Sequence, residues 1–395
     1  MTNPHLRDAD RTPAEPADAV APAAGAAPTP DPAVMRLRDV HRAAADLRRG
    51  TPVLLLGAES LVLLPAETAG ARGLAEFAAL AEGPPLLLLA PVRTAAVLRR
   101  PVGPNVPAVA LQMTSALLDP TVLMGLADPT AEQLLPEEPQ LAAHCPADAQ
   151  AALALVKLAR LLPAALAAPL RADAAARAAI LHLLTVPVEE VLAYPIVAAA
   201  GLVRVAEAQV PLDGAPDARV VAFRAPDSGI EHLAILVGRP DAAEAPLTRL
   251  HSECFTGDLL GSLRCDCGPQ LRGAIQRMAA DGSGVLLYLA QEGRGIGLVN
   301  KLRAYAMQDR GLDTLDANRA LGWGADERNF LVAATMLHAL GIGAIRLLTN
   351  NPDKVAAMTA CGINVVSREQ HAFAPNGVND HYLATKAERF GHLLD

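Results

Sequence analysis

From about residue 284 to residue 367 the chain, without an internal repeat, reads as a run of strand and helix pairs: an apolar run, a polar junction, then a helix closed by glycine. GVLLYLA (284 to 290) runs into QEGRGIG and the helix-like LVNKLRAYAMQDR, which Gly311 ends. AIRLLTNN runs into a helix with Pro352 in its first turn, and Gly362 closes it before the strand INVVS. Between them ERNFLVAATMLHAL places Phe330, Leu331, Ala334, Leu337 and Leu340 on one face, with Asp326 as the expected N-cap and Gly341 at the end. Alternating strands and helices restrict this region to an α/β layer, whose polar junctions are where chemistry belongs.

The rest of the chain divides around that region. Residues 1 to 33 are Ala, Pro and Asp with almost no large apolar side chain, so a disordered leader is expected. Residues 34 to 200 alternate helix-like segments (DVHRAAADLRRG) with short apolar runs (PVLLLG, SLVLL, PPLLLLA), an α/β texture poor in clustered polar groups. In the last region, 201 to 395, the strands RVVAFRA, HLAILVG and LTRLHSE precede the strand and helix pairs. The longest apolar stretch, AALALVKLARLLPAALAAPL (151 to 170), is broken by Lys157, Arg160, Pro163 and Pro169 and reads as a buried helix, not a membrane span. No export-type apolar run opens the chain, which points to the cytoplasm. The net charge of -8 and the lack of a long Lys/Arg block argue against nucleic acid as a partner, so an anionic ligand needs locally gathered arginines.

Three of the five cysteines, Cys254, Cys265 and Cys267, fall within HSECFTGDLLGSLRCDCGPQ (251 to 270). In a reducing compartment such spacing suggests metal ligands, and three soft thiolates suit zinc. Three ligands leave a position for a water whose pKa falls toward roughly 7. Spacing alone leaves open a closed site with His251 or Cys361 as fourth ligand.

QEGRGIG sets glycines 293, 295 and 297 between a strand and a helix, where backbone N–H groups can receive an anion. It is not the dinucleotide fingerprint, because position 298 is Leu. In TNNPDK, Lys354 near a helix N-terminus is unfavourable without an anion. Arg249, Arg264, Arg294, Arg328 and Lys354 together could neutralise a triphosphate, and Glu292 could read a guanine edge.

HSECFTGDLLGSLRCDCGPQL, YLAQEGRGIGLVNKLRAYAMQD, LGWGADERNF and LLTNNPDK, in that order, resemble GTP cyclohydrolase II, the zinc enzyme that opens the riboflavin pathway, over about 202 to 395. The resemblance implies a mixed-sheet α/β domain, usually a homodimer, that hydrolyses GTP to a diaminopyrimidine ribosyl phosphate, formate and pyrophosphate. It implies one zinc per subunit on Cys254, Cys265 and Cys267, and magnesium on the phosphates. It assigns GTP to Arg249, Leu250, His251, Ser252, Glu253, Gln270, Glu292, Gly293, Arg294, Thr314, Thr349 and Lys354. Tyr305 is implied to assist ring opening, Asp326 to accept a proton and Arg328 to act as nucleophile toward the α-phosphate. A guanidinium with pKa above about 12 is more at home stabilising charge there. The family commonly carries a basic residue where this chain has Ala290.

The region 34 to 200 is more weakly similar to dihydroxybutanone-phosphate synthase, an α+β domain, through DVHRAAADLRRGTPVLLL, LVKLARLLPAAL and VPVEEVLAYPIV. GAESLVLLPAE stands where that synthase has its acidic loop, and its Gly-His-Thr element is missing, with only His144 nearby. A degenerate, non-catalytic domain is therefore expected. The rival to the enzyme reading is a catalytically silent GTP-binding regulatory homologue.

Overall fold

The computed structural model describes residues 32–103, 106–226 and 228–393, so the expected leader lies outside the described residues except where the first helix, Pro32–Arg48, begins. The first sheet is built from β1 (Val53–Leu56), β2 (Leu61–Pro65), β3 (Leu86–Leu89), β4 (Val109–Gln112), β5 (Gln140–Leu141), β6 (Ala164–Pro169) and β7 (Thr185–Pro187). Its order is β5-β4-β3-β6-β2-β1-β7, antiparallel throughout except for the β1/β7 pair. Successive side chains alternate between two cores: Leu54, Leu64 and Leu166 enter one, and Val53, Leu55, Leu63 and Ala165 enter the other. Burial on both faces explains why these runs read as continuous leucine and alanine.

The stretch 151 to 170 departs from expectation. Residues 151 to 170 are not a single buried helix: the helix Ala149–Leu158 stops, Arg160 turns the backbone with φ 57°, and 164–169 form the central strand β6. Pro163 cannot continue a helix, and a slot between β3 and β2 suits small alanines. No described helix is long and apolar enough to cross a membrane.

The helix Val188–Ala200 leads into the second sheet, β8 (Val203–Gln209), β9 (Arg219–Arg224), β10 (Glu231–Gly238), β11 (Leu247–Ser252), β12 (Ser283–Leu289), β13 (Ala344–Leu348) and β14 (Asn364–Glu369). The order is β14-β13-β11-β12-β10-β9-β8. β12, β11, β13 and β14 run parallel, while β10, β9 and β8 are antiparallel, so the sheet is mixed as expected. Three parallel neighbours, β12, β11 and β13, therefore end on the same edge. Gly311, Gly341 and Gly362 follow their helices with positive φ, the left-handed geometry that a closing glycine supplies.

The expected cap at Asp326 is a second correction. The helix there starts only at Leu331, and the Asp326 carboxylate instead accepts the Arg328 backbone N–H at 3.1 Å and the Arg328 guanidinium. A short carboxylate that bonds two residues ahead competes with helix nucleation. The two halves also share a core, since Ile296, Ala304, Met307, Leu321 and Trp323 join the cluster containing Leu64, Leu87 and Leu162.

Candidate active site

The carboxyl ends of β11, β12 and β13 open into a cleft. Ligands of parallel α/β sheets bind on this edge, where junction residues converge and backbone groups are unspent. On β11, alternation sends Leu250 toward the core and turns Arg249 and His251 to the other face. Arg249 is buried, donating to the Leu348 carbonyl at 3.0 Å and to Gln270 Oε1, and burial lowers its pKa to about 10. His251 lies 3.1 Å from Asp258 and is stacked on Tyr288; burial holds its pKa below the usual value although Asp258 opposes that.

β11 then leaves the sheet into the cysteine loop. Asp258 organises it by accepting the Cys254 N–H at 2.9 Å and the Tyr288 hydroxyl at 3.0 Å. The sulfurs of Cys254, Cys265 and Cys267 lie within 4.8 Å of one another, and none of them forms a disulfide. Hydrogen bonds from Cys265 and Cys267 hold Cys254 as a thiolate against the effect of burial. The Cys265 thiol is pushed up to about 11, first by its hydrogen bond with Cys254, and Cys267 is pushed well above its usual value by the same neighbours. Thiolates this close repel one another, and a bound metal cation removes that penalty.

The cluster fits zinc. Two sulfurs each about 2.3 Å from one tetrahedral zinc lie about 3.8 Å apart, and Cys254 Sγ and Cys265 Sγ are 3.8 Å apart. Gly257 forms the floor, where a Cβ would come within 2.7 Å of Cys265 Sγ and 3.0 Å of Cys254 Sγ. Neither candidate for a fourth protein ligand belongs to the metal-competent group found among the described residues: His251 is engaged by Asp258, and Cys361 lies against the second-sheet core.

The β12 junction supplies the opposite wall. Gly293 and Arg294 both have φ of 63°, and a left-handed arginine costs about 1–3 kcal/mol, of the kind found at functional sites. The Arg294 guanidinium lies 3.7 Å from the Phe390 ring centroid, and its Nη1 is buried with no hydrogen-bond partner among the described residues. Glu292 is buried; its carboxylate accepts Phe255 N–H at 2.7 Å, Gly293 N–H at 2.9 Å and Lys301 Nζ at 2.8 Å. Glu253, beside it, is pushed up by burial and by the Glu292 charge.

At the β13 junction Thr349 and Asn350 are buried, and Asn351 caps the helix Pro352–Ala360. Lys354 donates to the Leu250 carbonyl at 2.9 Å; burial first, then Arg328 and Arg249, hold its pKa well below normal. Arg249 Nε and Ser252 Oγ, like Arg294 Nη1, are buried without hydrogen-bond partners among the described residues. Buried cations with spare donors around one cleft form a site for a polyanion.

All the expected GTP residues line this cleft, as do the three cysteines, Tyr305 and Arg328. Asp326 stands just outside the lining, bonded to Arg328. Arg264 is turned away, pairing with Asp309 over the Tyr305 ring. Sequence reasoning missed Lys301, whose Nζ is 3.0 Å from Cys254 Sγ. It lies four residues before Tyr305 on the helix Leu298–Gln308, and that spacing puts both on one face. It also missed Tyr382 and Lys386, again four apart, on the helix Asp380–Phe390, with His392 just beyond. Lys386 bonds Asp266 at 2.6 Å, a pairing no local pattern announces.

The family model for GTP cyclohydrolase II matches residues 203–370. The chain is 48% identical to the GTP cyclohydrolase-2 of Azospirillum brasilense over 366 residues, 91% of this chain and 94% of that protein. It is 53% identical to the GTP cyclohydrolase-2 of Yersinia pseudotuberculosis over 193 residues, 49% of this chain and 98% of that protein. Among solved structures it is similar to RibBX, a two-domain 3,4-dihydroxy-2-butanone 4-phosphate synthase from A. baumannii, at 16% identity and a TM-score of 0.33, covering 84% of this chain and 99% of that one.

Proposed function

This chain belongs to the GTP cyclohydrolase II family, and from that premise we propose that its cleft hydrolyses GTP, releasing formate from the guanine ring and pyrophosphate from the triphosphate. The observation that carries the reading is the meeting, in one cleft, of a three-thiol group with Arg249, Arg294, Arg328 and Lys354. Thiols provide for the ring and cations for the phosphates.

Zinc on Cys254, Cys265 and Cys267 would supply a Lewis acid and an acidified water beside the base. The side chains around the cluster do the rest. Lys301, held as an ammonium against burial by Cys254 and Glu292, places a positive charge beside the Cys254 sulfur. Burial raises the Tyr305 pKa, so its hydroxyl stays protonated and can donate to a ring nitrogen that gains charge on opening. Burial opposes ionisation of Asp326, but the Arg328 hydrogen bond wins and keeps it a carboxylate able to accept a proton. Arg328 would then face the phosphoryl group as a fixed positive charge, and Arg294 and Lys354, whose charge the phosphates would restore, would neutralise the remaining oxygens; magnesium would supply further charge neutralisation. Gln270 holds Arg249 in line.

The reading extends to one zinc per subunit, the cytoplasm, and a homodimer. Leu259, Leu260 and Leu263 of the cysteine loop are exposed at 71%, 65% and 62%, which supports a second subunit covering that loop. The region 34 to 200 is taken as non-catalytic.

The test incubates zinc-loaded protein with GTP and magnesium and follows formate and pyrophosphate together, with Cys265→Ser as control. Equal release of both, lost in the variant, is expected. Pyrophosphate without formate would sink the ring-opening step, and release of neither with GTP bound would establish the silent regulatory homologue.

A further inference from the structure

We propose that the N-terminal half is a clamp on the two loops carrying Glu292, Arg294, Asp326 and Arg328, with Lys157 and Arg160 as positioning residues acting through Glu327 and the Ala290 peptide. The proposal rests on the reading above in so far as those loops are catalytic.

Neither loop is held by extended secondary structure. One is a single tight turn between β12 and the helix Leu298–Gln308, and the other, 322–330, precedes the helix Leu331–Ala339 without regular hydrogen bonding. Keeping such segments in one geometry costs about 1–2 kcal/mol of backbone entropy per residue, so contacts from outside must offset it.

The N-terminal half supplies them from one corner, the end of the helix Ala149–Leu158. Arg160 there adopts φ 57°, a conformation that costs about 1–2 kcal/mol for a residue with a Cβ. Three contacts follow from it. Its carbonyl accepts Asn300 Nδ2 at 3.2 Å, and Asn300 is fully buried. Its stem lies against Gly297, where a Cβ would sit 3.3 Å from Arg160 Cδ. Its guanidinium donates to the Ala290 carbonyl at 2.9 Å. Because the Ala290 N–H donates to His232 Nδ1 at 3.0 Å, both polar groups of that residue are tied down, two residues before Glu292.

Lys157, one turn earlier, pairs with Glu327 at 2.6 Å, and its ammonium lies 5.4 Å from the Trp323 ring centroid. Glu327 stands between Asp326 and Arg328. The carboxylate oxygen that meets Lys157 also accepts the Gly324 N–H at 2.7 Å, and the Glu327 N–H donates to the Arg294 carbonyl at 3.0 Å. The loops are therefore fastened to each other as well. Gly295 permits this approach, since a Cβ there would meet the Glu327 carbonyl oxygen at 2.8 Å.

Arg303 secures the helix that follows the first loop by pairing with Glu67 at 2.9 Å and Asp128 at 2.7 Å, all three side chains at most 15% exposed. Ile296, Ala304 and Trp323 bury the apolar part of the contact. Such a frame keeps reacting groups aligned, and misplacement of about 1 Å costs up to 10²-fold in rate.

The experiment uses the full chain with Lys157→Met, Lys157→Arg and the double variant Lys157→Met/Glu327→Gln. Formate release gives kcat and KM, and hydrogen exchange is followed in 290–297 and 324–328. For Lys157→Met, kcat should fall about tenfold with exchange rising in those two segments, and Lys157→Arg should recover to within about threefold. The double variant should be no slower than the single, because the pair acts as a unit. Unchanged exchange in both loops with kcat within about twofold of wild type would overturn the clamp. So would exchange that rises across the whole first sheet without rescue by arginine, since that is a loss of general stability. If the wild-type protein releases no formate, the functional reading fails, and exchange confined to the loops alone decides the clamp.

Discussion

The first sheet and the second have seven strands each, yet only the second gathers chemistry at one edge. In the first, antiparallel neighbours end on opposite edges, so polar junction residues are divided between them. Glu59 and His144 do meet, at 3.0 Å, but as an exposed pair without a third ligating group beside them among the described residues. In the second, β12, β11 and β13 run parallel, and Glu292, His251 and Thr349 arrive together. Strand direction, more than strand number, separates a scaffold from a site.

The contrast can be broken most severely at Arg328. Arg328→Ala should lower kcat by about 10²–10³ if the residue stabilises developing charge, with Arg328→Lys recovering part of it; no recovery by lysine would favour nucleophilic chemistry there. Next comes the floor of the cysteine cluster. Gly257→Ala should reduce zinc content and formate release together, by roughly 10–100-fold, while GTP affinity measured by calorimetry changes little. Zinc retained at wild-type stoichiometry would refute that geometry.

In the first sheet the effects belong to stability. Leu63→Ala, in the core private to that half, should cost about 2–5 kcal/mol in denaturant unfolding with kcat at 25 °C unchanged. A further case lies at the border of the two sheets. Burial lowers the His232 pKa to about 4, and its Nδ1 accepts the Ala290 N–H. Between the unfolded value of about 6.5 and the folded value the unfolded chain binds more protons, so this contribution is full above about pH 6.5 and erodes as pH falls toward 4. His232→Asn, which keeps an acceptor, should flatten the acid decline of the unfolding free energy by about 1–3 kcal/mol. Smallest of all, Glu59→Gln and His144→Asn should leave formate release within about twofold. A tenfold loss would give the first half a part in the reaction.

Much of the site was legible because its residues come in short linear groups. HSEC, QEGR and TNNPDK each sit at a strand end, which the parallel arrangement brings together, and CDC opens the helix Cys267–Asp281. Lys301, Lys386 and Lys157 were not legible, because each acts on a partner 47, 120 or 170 residues away. The helix start near Asp326 was misjudged for a local reason, since an aspartate that can cap can equally bond Arg328 two residues ahead. The stretch 151 to 170 was misjudged because apolar length does not distinguish a helix from a helix followed by a buried strand.

By itself the sequence determined the alternation of strands and helices, the three thiols and the anion-seeking junctions, since these depend on neighbours within a few residues. The tertiary structure decided which charges are paired and which are left for a ligand. Glu292 is occupied by Lys301, Asp266 by Lys386 and Glu327 by Lys157, whereas Arg249 Nε and Arg294 Nη1 are left unspent among the described residues. Pairing depends on distance and burial across the folded chain, and neither is a property of sequence spacing.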